Sequence, residues 1–383
     1  MGWNSLLSCF IYQLHHSNHV LLDILDCVNI LKIKTSIFSA GYLITCLVLN
    51  MRLLELLLAF LLTYIGATTA QDAVALFGGE YPDGFMDNEV EVWSHSSSCN
   101  LEIPSTPDSF RDGPGVAVLE DKIYVCGGHR MGTSHTTHTC DVYSMTDKAW
   151  TAGPSFNKDT HPLKVYLTTV GSRLVAAYTM ENRTDGDWGP TTDQLVVSVL
   201  DPVTSQEWRM LTLLECDNCW SYLSGFGKVD ENHVGIVEVF PTEYPPKNDT
   251  RTLHVVNVET GKAMTVDTPD FAHCGNAFVF DGLFTCLFPV AGSDIDRDLY
   301  SLTYNGEDDL KHEWTKIGSI PKGDYYHAVN GPFLQLDGML TSLNNLNDGL
   351  IYWKDQLEDE EWNTAEIEIP RQDVGWAILQ CSQ

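Results

Sequence analysis

The sequence is poor in basic residues. Its 383 residues include 22 Lys and Arg against 52 Asp and Glu, so the formal net charge is −30. Because so acidic a surface repels phosphate backbones, we expect no binding to nucleic acid. The same charge favours solubility and attracts partners of positive charge.

The sequence also lacks long helical periodicity after Gln71, and it lacks a recognisable catalytic constellation. Short apolar segments instead alternate with turns, which predicts β-strands. A chain of this length can bury a large core, and all-β folds of this size often form one domain. We therefore predict a single all-β domain over residues 71–383, and we do not predict an enzyme.

Residues 51–70 have the organisation of a secretory signal peptide. Arg52 supplies a positive charge, residues 53–65 form an apolar core, and small residues at positions 68 and 70 match a cleavage site. Cleavage there would leave Gln71 at the new N-terminus. We therefore expect a secreted, extracellular protein that has no contact with a membrane once the signal is removed.

Residues 1–50 do not fit that organisation. Our interpretation is that translation starts at Met51 and that residues 1–50 are a non-native upstream extension or unstructured. The alternative is a signal anchor in the membrane, because the apolar run over residues 36–65 is long enough to cross a bilayer of about 30 Å. Arg52 and Glu55 lie near the middle of that run and disfavour anchoring, since charges inside a membrane are costly.

One strand pattern recurs along residues 71–383. Its best example is the apolar strand 123–128, which ends in Gly127-Gly128 and follows another strand at 115–119. Similar strands recur roughly every 50 to 60 residues. The predicted strands of this type are 73–79, 123–128, 173–178, 233–239, 283–288 and 338–343. Each is followed in its unit by an outer pair of strands. The outermost strand is predicted to start near Leu101, Trp150, Trp208, Ala263, Trp314 or Trp362, respectively.

The first unit has no inner strand before it, but the chain ends with a spare one. Inner strands precede the later units at 115–119, 165–170, 220–229, 276–280 and 331–336. Residues 374–381 have the same pattern and no strand after them. A ring in which this last strand joins the first unit accounts for both observations, and closing a ring removes exposed sheet edges.

The second unit resembles the kelch repeat, in which paired glycines are followed by a Tyr and a Trp. Here these are Gly127-Gly128, Tyr143 and Trp150, and Gly78-Gly79 gives the first unit half of the pattern. The resemblance covers nearly all of residues 71–383 but weakens in the later units. It implies an all-β, six-bladed, kelch-like β-propeller of four-stranded antiparallel blades, closed by the C-terminal strand. In such a fold the tryptophans pack between sheets and do not form a cofactor site.

Eight cysteines follow the predicted signal peptide, and an even number in a secreted chain indicates disulfides. Cys126 ends one strand and Cys140 starts its antiparallel neighbour, so we predict that they pair. A bridge between Cys99 and Cys381 would lock the ring where it closes. Three pairings stay open for Cys216, Cys219, Cys274 and Cys286.

The Cys216–Cys219 spacing is also that of a redox dithiol, which normally acts at the N-terminus of a helix. This pair precedes a predicted β-strand instead, so we expect an inert disulfide. Within its hairpin, a two-residue turn at Asp281-Gly282 places Cys286 opposite Ala277 rather than opposite Cys274.

The longest connections join the second strand of a unit to its third strand, so we expect them on one face of the disc, here called the loop face. Long loops on a rigid scaffold commonly carry binding residues. The predicted contacts are His129, Arg130, His135, His138, Trp188, Tyr244, Asp294 and Asp296. Sequons at Asn182 and Asn248 lie in connections of the same type and predict N-glycosylation.

Two segments of the loop face have the donor types of metal sites. The three histidines between Cys126 and Cys140 suit zinc or copper. Asp294 and Asp296 begin a segment similar to a calcium loop, but Leu299 stands where that loop needs glycine. An exposed polar loop explains both segments more simply, so we predict neither a metal nor a cofactor.

These observations favour a secreted, disulfide-bonded, monomeric glycoprotein that binds an unknown extracellular protein or glycan through the loop face. The alternative is an extracellular enzyme that uses the central channel, because proteins with kelch-like folds include copper-radical sugar oxidases and a sialic-acid mutarotase. The Tyr–Cys cross-link and copper ligands of the oxidases find no match in this sequence. A structural component of the extracellular matrix is a third alternative.

Overall fold

The fold was determined as a computed structural model, and the residues described here belong to one compact unit that spans Ala70–Gln383. Within it, no helix of the described residues has the length and apolarity needed to span a bilayer. The description covers residues 71–381 except 82–87, 96–98, 100, 108–110, 131–134, 158–161, 181–193, 206, 216–222, 241–249, 268–273, 275, 290–296, 305–311, 321–331, 344–345, 358, 360, 369 and 372–373.

Nearly all regular structure in the described residues is β-strand. A single short 3-10 helix spans Leu346–Asp348. The strands are, in chain order, β1 (Gln71–Phe77), β2 (Val90–Trp93), β3 (Arg111–Asp112), β4 (Gly115–Leu119), β5 (Lys122–Cys126), β6 (His129–Arg130), β7 (His135–Thr136), β8 (Cys140–Ser144), β9 (Ala149–Ala152), β10 (Pro162–Val170), β11 (Arg173–Met180), β12 (Gln194–Leu200), β13 (Arg209–Glu215), β14 (Leu223–Asp230), β15 (His233–Phe240), β16 (Thr250–Asn257), β17 (Ala263–Val266), β18 (Ala277–Phe280), β19 (Leu283–Pro289), β20 (Arg297–Tyr304), β21 (His312–Ile320), β22 (Phe333–Leu336), β23 (Met339–Ser342), β24 (Leu350–Lys354), β25 (Asn363–Glu366) and β26 (Gly375–Cys381).

The strands group into the six units that the sequence predicts. Units 2, 3 and 6 are four-stranded antiparallel sheets, ordered β4-β5-β8-β9, β10-β11-β12-β13 and β22-β23-β24-β25. Units 4 and 5 are β14 to β17 and β18 to β21, which one parallel bridge, Gly225 to Ala277, links at their inner strands. Unit 1 contains β26, β1 and β2.

Each unit packs against the next through its own hydrophobic cluster. Units 2 and 3, for example, meet at Tyr124 and Leu174. The same arrangement joins the last unit to the first, because Leu334 of unit 6 packs in one cluster with Val74 of unit 1. This succession of antiparallel sheets is that of a β-propeller. The number of blades and the closure of the ring stay predictions, which these contacts support.

The last strand of the chain pairs with the first. β26 runs antiparallel to β1 in an unbroken register from Gln71–Cys381 to Phe77–Gly375. The Cys99–Cys381 disulfide fastens the same strand, with 5.6 Å between the two Cα atoms and 282 residues of chain between the cysteines. The spare C-terminal strand therefore fills the place that the sequence left empty in unit 1.

The paired glycines end their strands where another segment comes close. A Cβ atom on Gly127 would lie 2.2 Å from a side-chain carbon of Val165 in unit 3, and one on Gly78 would lie 2.2 Å from the carbonyl oxygen of Arg111. Both glycines also have positive φ, at 68° and 63°. Since side chains fit neither the space nor the backbone conformation, glycine is required at both positions.

Three of the tryptophans near the start of the outer strands tie their unit to the one before it. The indole nitrogens of Trp150, Trp208 and Trp314 donate to backbone carbonyls of the preceding unit, at Pro104 (2.9 Å), Pro154 (2.8 Å) and Asp267 (3.1 Å) respectively. They are half-buried packing residues whose indole N–H groups are hydrogen-bonded.

The fourth strand predicted for unit 1 near Leu101 is not formed within described residues 101–107. That segment runs beside β2 without a regular ladder, held where Thr106 donates to the Asn88 carbonyl at 2.9 Å. Ile103 is nevertheless buried against units 1 and 2. The apolar pattern of the segment therefore reflects burial. The strand prediction was wrong because the Thr106 hydrogen bond and the buried Ile103 hold the segment without a regular ladder.

Two further disulfides lie within hairpins. Cys126 and Cys140 are directly opposite in the register of β5 and β8 and are bonded. Cys274 is bonded to Cys286, although Cys286 pairs with Ala277 in the ladder. Cys274 reaches its partner because it precedes β18 and lies outside that ladder. Cys216 and Cys219 lie outside the described residues, so their pairing stays a prediction.

Removing the Cys99–Cys381 disulfide is expected to destabilise the protein more than removing Cys126–Cys140. In the chain-entropy model, the long loop corresponds to about 6 kcal/mol and the short loop to about 3 kcal/mol. Urea unfolding of the Cys99→Ser/Cys381→Ser and Cys126→Ser/Cys140→Ser variants under non-reducing conditions measures both losses. A larger loss for the hairpin pair would contradict a role of the long-range bridge in holding the chain ends together.

Candidate functional site

The best described part of the loop face is the connection between β5 and β8 in unit 2. The sequence suggested an irregular polar loop, but β6 and β7 form a hairpin there, and β6 also pairs with β3. His129 lies in register between Asp112 and Thr136, and Arg130 lies between Arg111 and His135. The connection is therefore held by backbone hydrogen bonds in a small three-stranded sheet.

The buried side chain of Arg111 anchors this small sheet to unit 2. Its side chain is only 2% exposed, and its guanidinium donates to the carbonyl oxygens of Gly127 (2.9 Å) and Thr139 (3.0 Å). It also donates to the carboxylate of Asp141 on β8 at 2.8 Å. The guanidinium of Arg111 in β3 therefore binds both ends of the connection, at Gly127 and Thr139, and also binds Asp141 in β8.

Two threonines close the base of the connection. The Thr137 amide donates to the Gly128 carbonyl at 2.9 Å, and the hydroxyls of Thr137 and Thr139 lie 2.6 Å apart. The His138 carbonyl accepts a hydrogen bond from the Phe156 amide at 2.8 Å. The backbone at the base is therefore fixed, so β6 and β7 are attached to a rigid support.

Unit 1 contains a second buried arginine, Arg371, with the same kind of contacts as Arg111. Its buried guanidinium donates to the carbonyls of Gly78 (3.0 Å) and Glu89 (3.1 Å) and to the carboxylate of Glu91 at 3.4 Å. Arg111 and Arg371 each stand four residues before the glycine that starts an inner strand. Sequence reasoning missed both residues, although that repeated Arg-x-x-x-Gly spacing was available as a signal.

Four of the predicted contacts fall in the described part of the loop face. His129, Arg130, His135 and His138 all belong to the β5–β8 connection of unit 2. The remaining predicted positions lie outside the described residues and stay predictions: Trp188, Tyr244, Asp294, Asp296 and the sequons at Asn182 and Asn248. The described residues contain no group of three His, Cys, Asp or Glu side chains arranged to hold a metal ion.

A cluster of aromatic rings lies where units 6 and 1 meet. The His95 ring is 4.6 Å from the ring of Trp93 and 4.9 Å from that of Trp353. Burial lowers the pKa of His95, and the charges of Asp337 and Asp355 oppose that shift in part. Because the rings touch one another, no space for a ligand remains between them, and the cluster serves packing.

Two carboxylates, those of Asp72 and Asp337, lie close together at the same junction. The Asp72 amide donates to the Asp337 carboxylate at 2.8 Å, and the Asp337 amide donates to the Asp72 carboxylate at 3.1 Å. Burial raises the pKa of Asp72 above its usual value, and the nearby negative charge of Asp337 raises it further, although the backbone hydrogen bond acts in the opposite direction. Strand β1 and the turn at Asp337 are thus tied together in spite of a like-charge contact.

The comparisons agree with this geometry. Residues 111–157, which run from Arg111 through the outer strand of unit 2, match the sequence profile of the Kelch motif. The motif and the nearly all-β structure together confirm the kelch-repeat resemblance. Among curated proteins, none matches the chain.

Replacing Arg111 by Met is expected to lower the free energy of unfolding by roughly 3–5 kcal/mol, because Asp141 is left buried without its cation. Arg173→Met is the matched control, since the Arg173–Glu259 pair is exposed and should contribute less than about 1 kcal/mol. Urea unfolding measures both changes. Similar losses in the two variants would show that Arg111 is not an anchor.

Replacing Asp72 by Asn is expected to raise the unfolding midpoint at neutral pH. The folded pKa of Asp72 lies above its unfolded value, so the native state loses stability as the pH rises through that interval. The gain from Asp72→Asn should therefore be complete above the folded pKa and disappear below the unfolded value of about 3.9.

Thermal unfolding as a function of pH measures that gain. Asp281→Asn is the control, because Asp281 occupies the turn that corresponds to that of Asp337, but its carboxylate accepts a hydrogen bond from the side-chain amide of Gln335 at 2.6 Å and does not face a carboxylate. A gain that persists unchanged in acid would contradict the like-charge interpretation.

Proposed function

We propose that this protein is a secreted binding module that holds an extracellular protein on its loop face. Kelch repeats generally mediate protein binding, and the matched motif supports that class of function. The observation that carries the proposal is the Arg111-anchored sheet of unit 2, which holds β6 and β7 on a rigid support. Rigid presentation lowers the entropy cost of binding.

The cysteines support the extracellular part of the proposal. Three disulfides lie in the described residues, and such bonds persist in oxidising compartments. The net charge of −30 favours a partner whose contacting surface is basic, because complementary charge speeds encounter. A glycan is the second class of partner, and the experiment below separates it from a protein.

The experiment is an affinity capture with the full chain, produced by a secretory eukaryotic host. Surface and extracellular extracts of the source tissue are applied, and retained molecules are identified by mass spectrometry. Arg130→Ala and His135→Ala are the test variants, because both leave the backbone ladder of β6 and β7 in place. Lys262→Ala and Glu231→Ala, in turns at the other end of the sheets, are the matched controls.

We expect a stoichiometric protein whose affinity falls about tenfold or more in the loop-face variants and stays unchanged in the controls. Capture that is lost after the extract is treated with glycosidases would identify a glycan instead. A partner lost only in the control variants would overturn the loop-face assignment. A small molecule carried by the purified protein, with no retained partner, would favour an enzyme built around the channel.

A further inference from the structure

The junction of units 6 and 1 contains a histidine, His95, whose ring packs against two indoles. Its ring centroid is 4.6 Å from that of Trp93 in β2 and 4.9 Å from that of Trp353 in β24. The two indoles are themselves 5.6 Å apart, and Trp93 also packs on the hydrophobic cluster that joins the two units. His95 is therefore part of the contact between the last unit and the first.

The two ring nitrogens of His95 have different surroundings. Nε2 lies 3.3 Å from the hydroxyl of Thr341 in β23. Nδ1 is buried and has no hydrogen-bond partner among the described residues. A neutral ring suits this arrangement, because Nε2–H donates to Thr341 and Nδ1 keeps a lone pair. A lone pair without a partner is less costly to bury than an N–H without one.

Protonation of His95 disrupts this arrangement. The imidazolium carries an N–H on both nitrogens, so Nδ1–H would be buried without an acceptor. A buried charged donor that lacks a partner is more costly than a neutral one. Burial accordingly lowers the pKa of His95 below its ordinary value. The packed junction therefore favours the neutral ring.

Two carboxylates of unit 6 act on the ring and oppose that preference in part. They belong to Asp337, in the turn between β22 and β23, and to Asp355, which follows β24. Asp337 accepts a hydrogen bond from the Asp72 amide at 2.8 Å, and Asp355 lies 3.4 Å from the side-chain amide of Asn363. Neither carboxylate is hydrogen-bonded to His95, whose described partner is Thr341.

The other ionisable groups of the two strands that hold the indoles have partners elsewhere. In β2, Glu91 pairs with Arg371 at 3.4 Å. In β24, Lys354 follows Trp353 and so projects on the other side of the strand, where its ammonium donates to a backbone carbonyl. Since no ion pair fixes the charge of the His95 ring among the described residues, that charge depends on the pH.

We propose that His95 makes the junction of units 6 and 1 a pH-sensitive contact, which is tight at neutral pH and loosens when mild acid charges the ring. The Cys99–Cys381 disulfide lies within unit 1, and no disulfide among the described residues spans the junction. Acid would therefore separate unit 6 from a first unit that stays intact. Histidines that change charge in this range serve as sensors of endosomal acid.

The first test compares the free energy of unfolding of the full chain and of His95→Gln between pH 8 and pH 5. Because the folded pKa of His95 lies below the unfolded value of about 6.5, its contribution is complete above that value and is lost as the pH falls through the folded pKa. The wild type should therefore lose stability in acid relative to His95→Gln, which keeps a donor for Thr341 but does not titrate.

His254→Gln is the matched control. The His254 ring also lies within hydrogen-bond distance of a threonine hydroxyl, that of Thr265 at 3.5 Å, but this contact is exposed. The control should keep the pH dependence of the wild type. A wild type whose pH dependence parallels that of His95→Gln, or a His254→Gln variant that loses the dependence as well, would overturn the proposal.

Hydrogen exchange of backbone amides locates the change. After correction for the intrinsic rate, protection of β23, β24 and β2 in the wild type should fall about three- to tenfold between pH 7 and pH 5, and it should stay constant in His95→Gln. Exchange that increases equally in all units, or in units 2 to 5 alone, would contradict a local effect at the junction. Neither measurement uses a binding partner, so the result is independent of the function proposed for the loop face.

Discussion

The pairing between the first and last strands is the constraint on which the rest of the structure depends. β1 and β26 are separated by almost the whole described chain, and their ladder runs over every residue of both strands. Without it, unit 1 would lose its inner strand. Val116 of unit 2 would then lose Ala377 of β26, with which it shares a hydrophobic cluster. Forming such a long-range pairing has a large entropy cost of loop closure, whereas forming a local hairpin has a small one. The Cys99–Cys381 disulfide acts at this point, where the closure is most demanding.

The buried arginines Arg111 and Arg371 hold the backbone at the ends of the strands that lead to the loop face. Arg371 precedes the closing strand and reaches into unit 1, just as Arg111 precedes β4 and reaches across to β8. Each cation donates to a backbone carbonyl of a glycine pair, Arg111 to Gly127 and Arg371 to Gly78. A buried ion pair contributes little net stability compared with apolar packing, but it is directional. Its role here is to fix the position of the connections that form the loop face.

Much of this fold could be predicted from local sequence signals. The glycine pair at 127–128 requires a conformation that other residues avoid, and the Cys126–Cys140 bridge follows from hairpin geometry alone. The sequence does not reveal what depends on contacts between distant segments. The small sheet at His129 forms because β3 supplies an edge, Cys274 reaches Cys286 because it precedes its strand, and the segment at Ile103 is buried without a ladder.

The loop face and the outer strand β13 obey different physical rules. The loop face lies at the ends of strands, where side chains vary without cost to the sheets, so its chemistry is free to match a partner. β13 is part of a sheet, and its buried Leu214 fixes which residues face water. An apolar residue exposed there has no packing reason within unit 3. Among the described residues, the outer strand β21 carries His312, Glu313 and Lys316, whereas β13 exposes Met210 and Leu213.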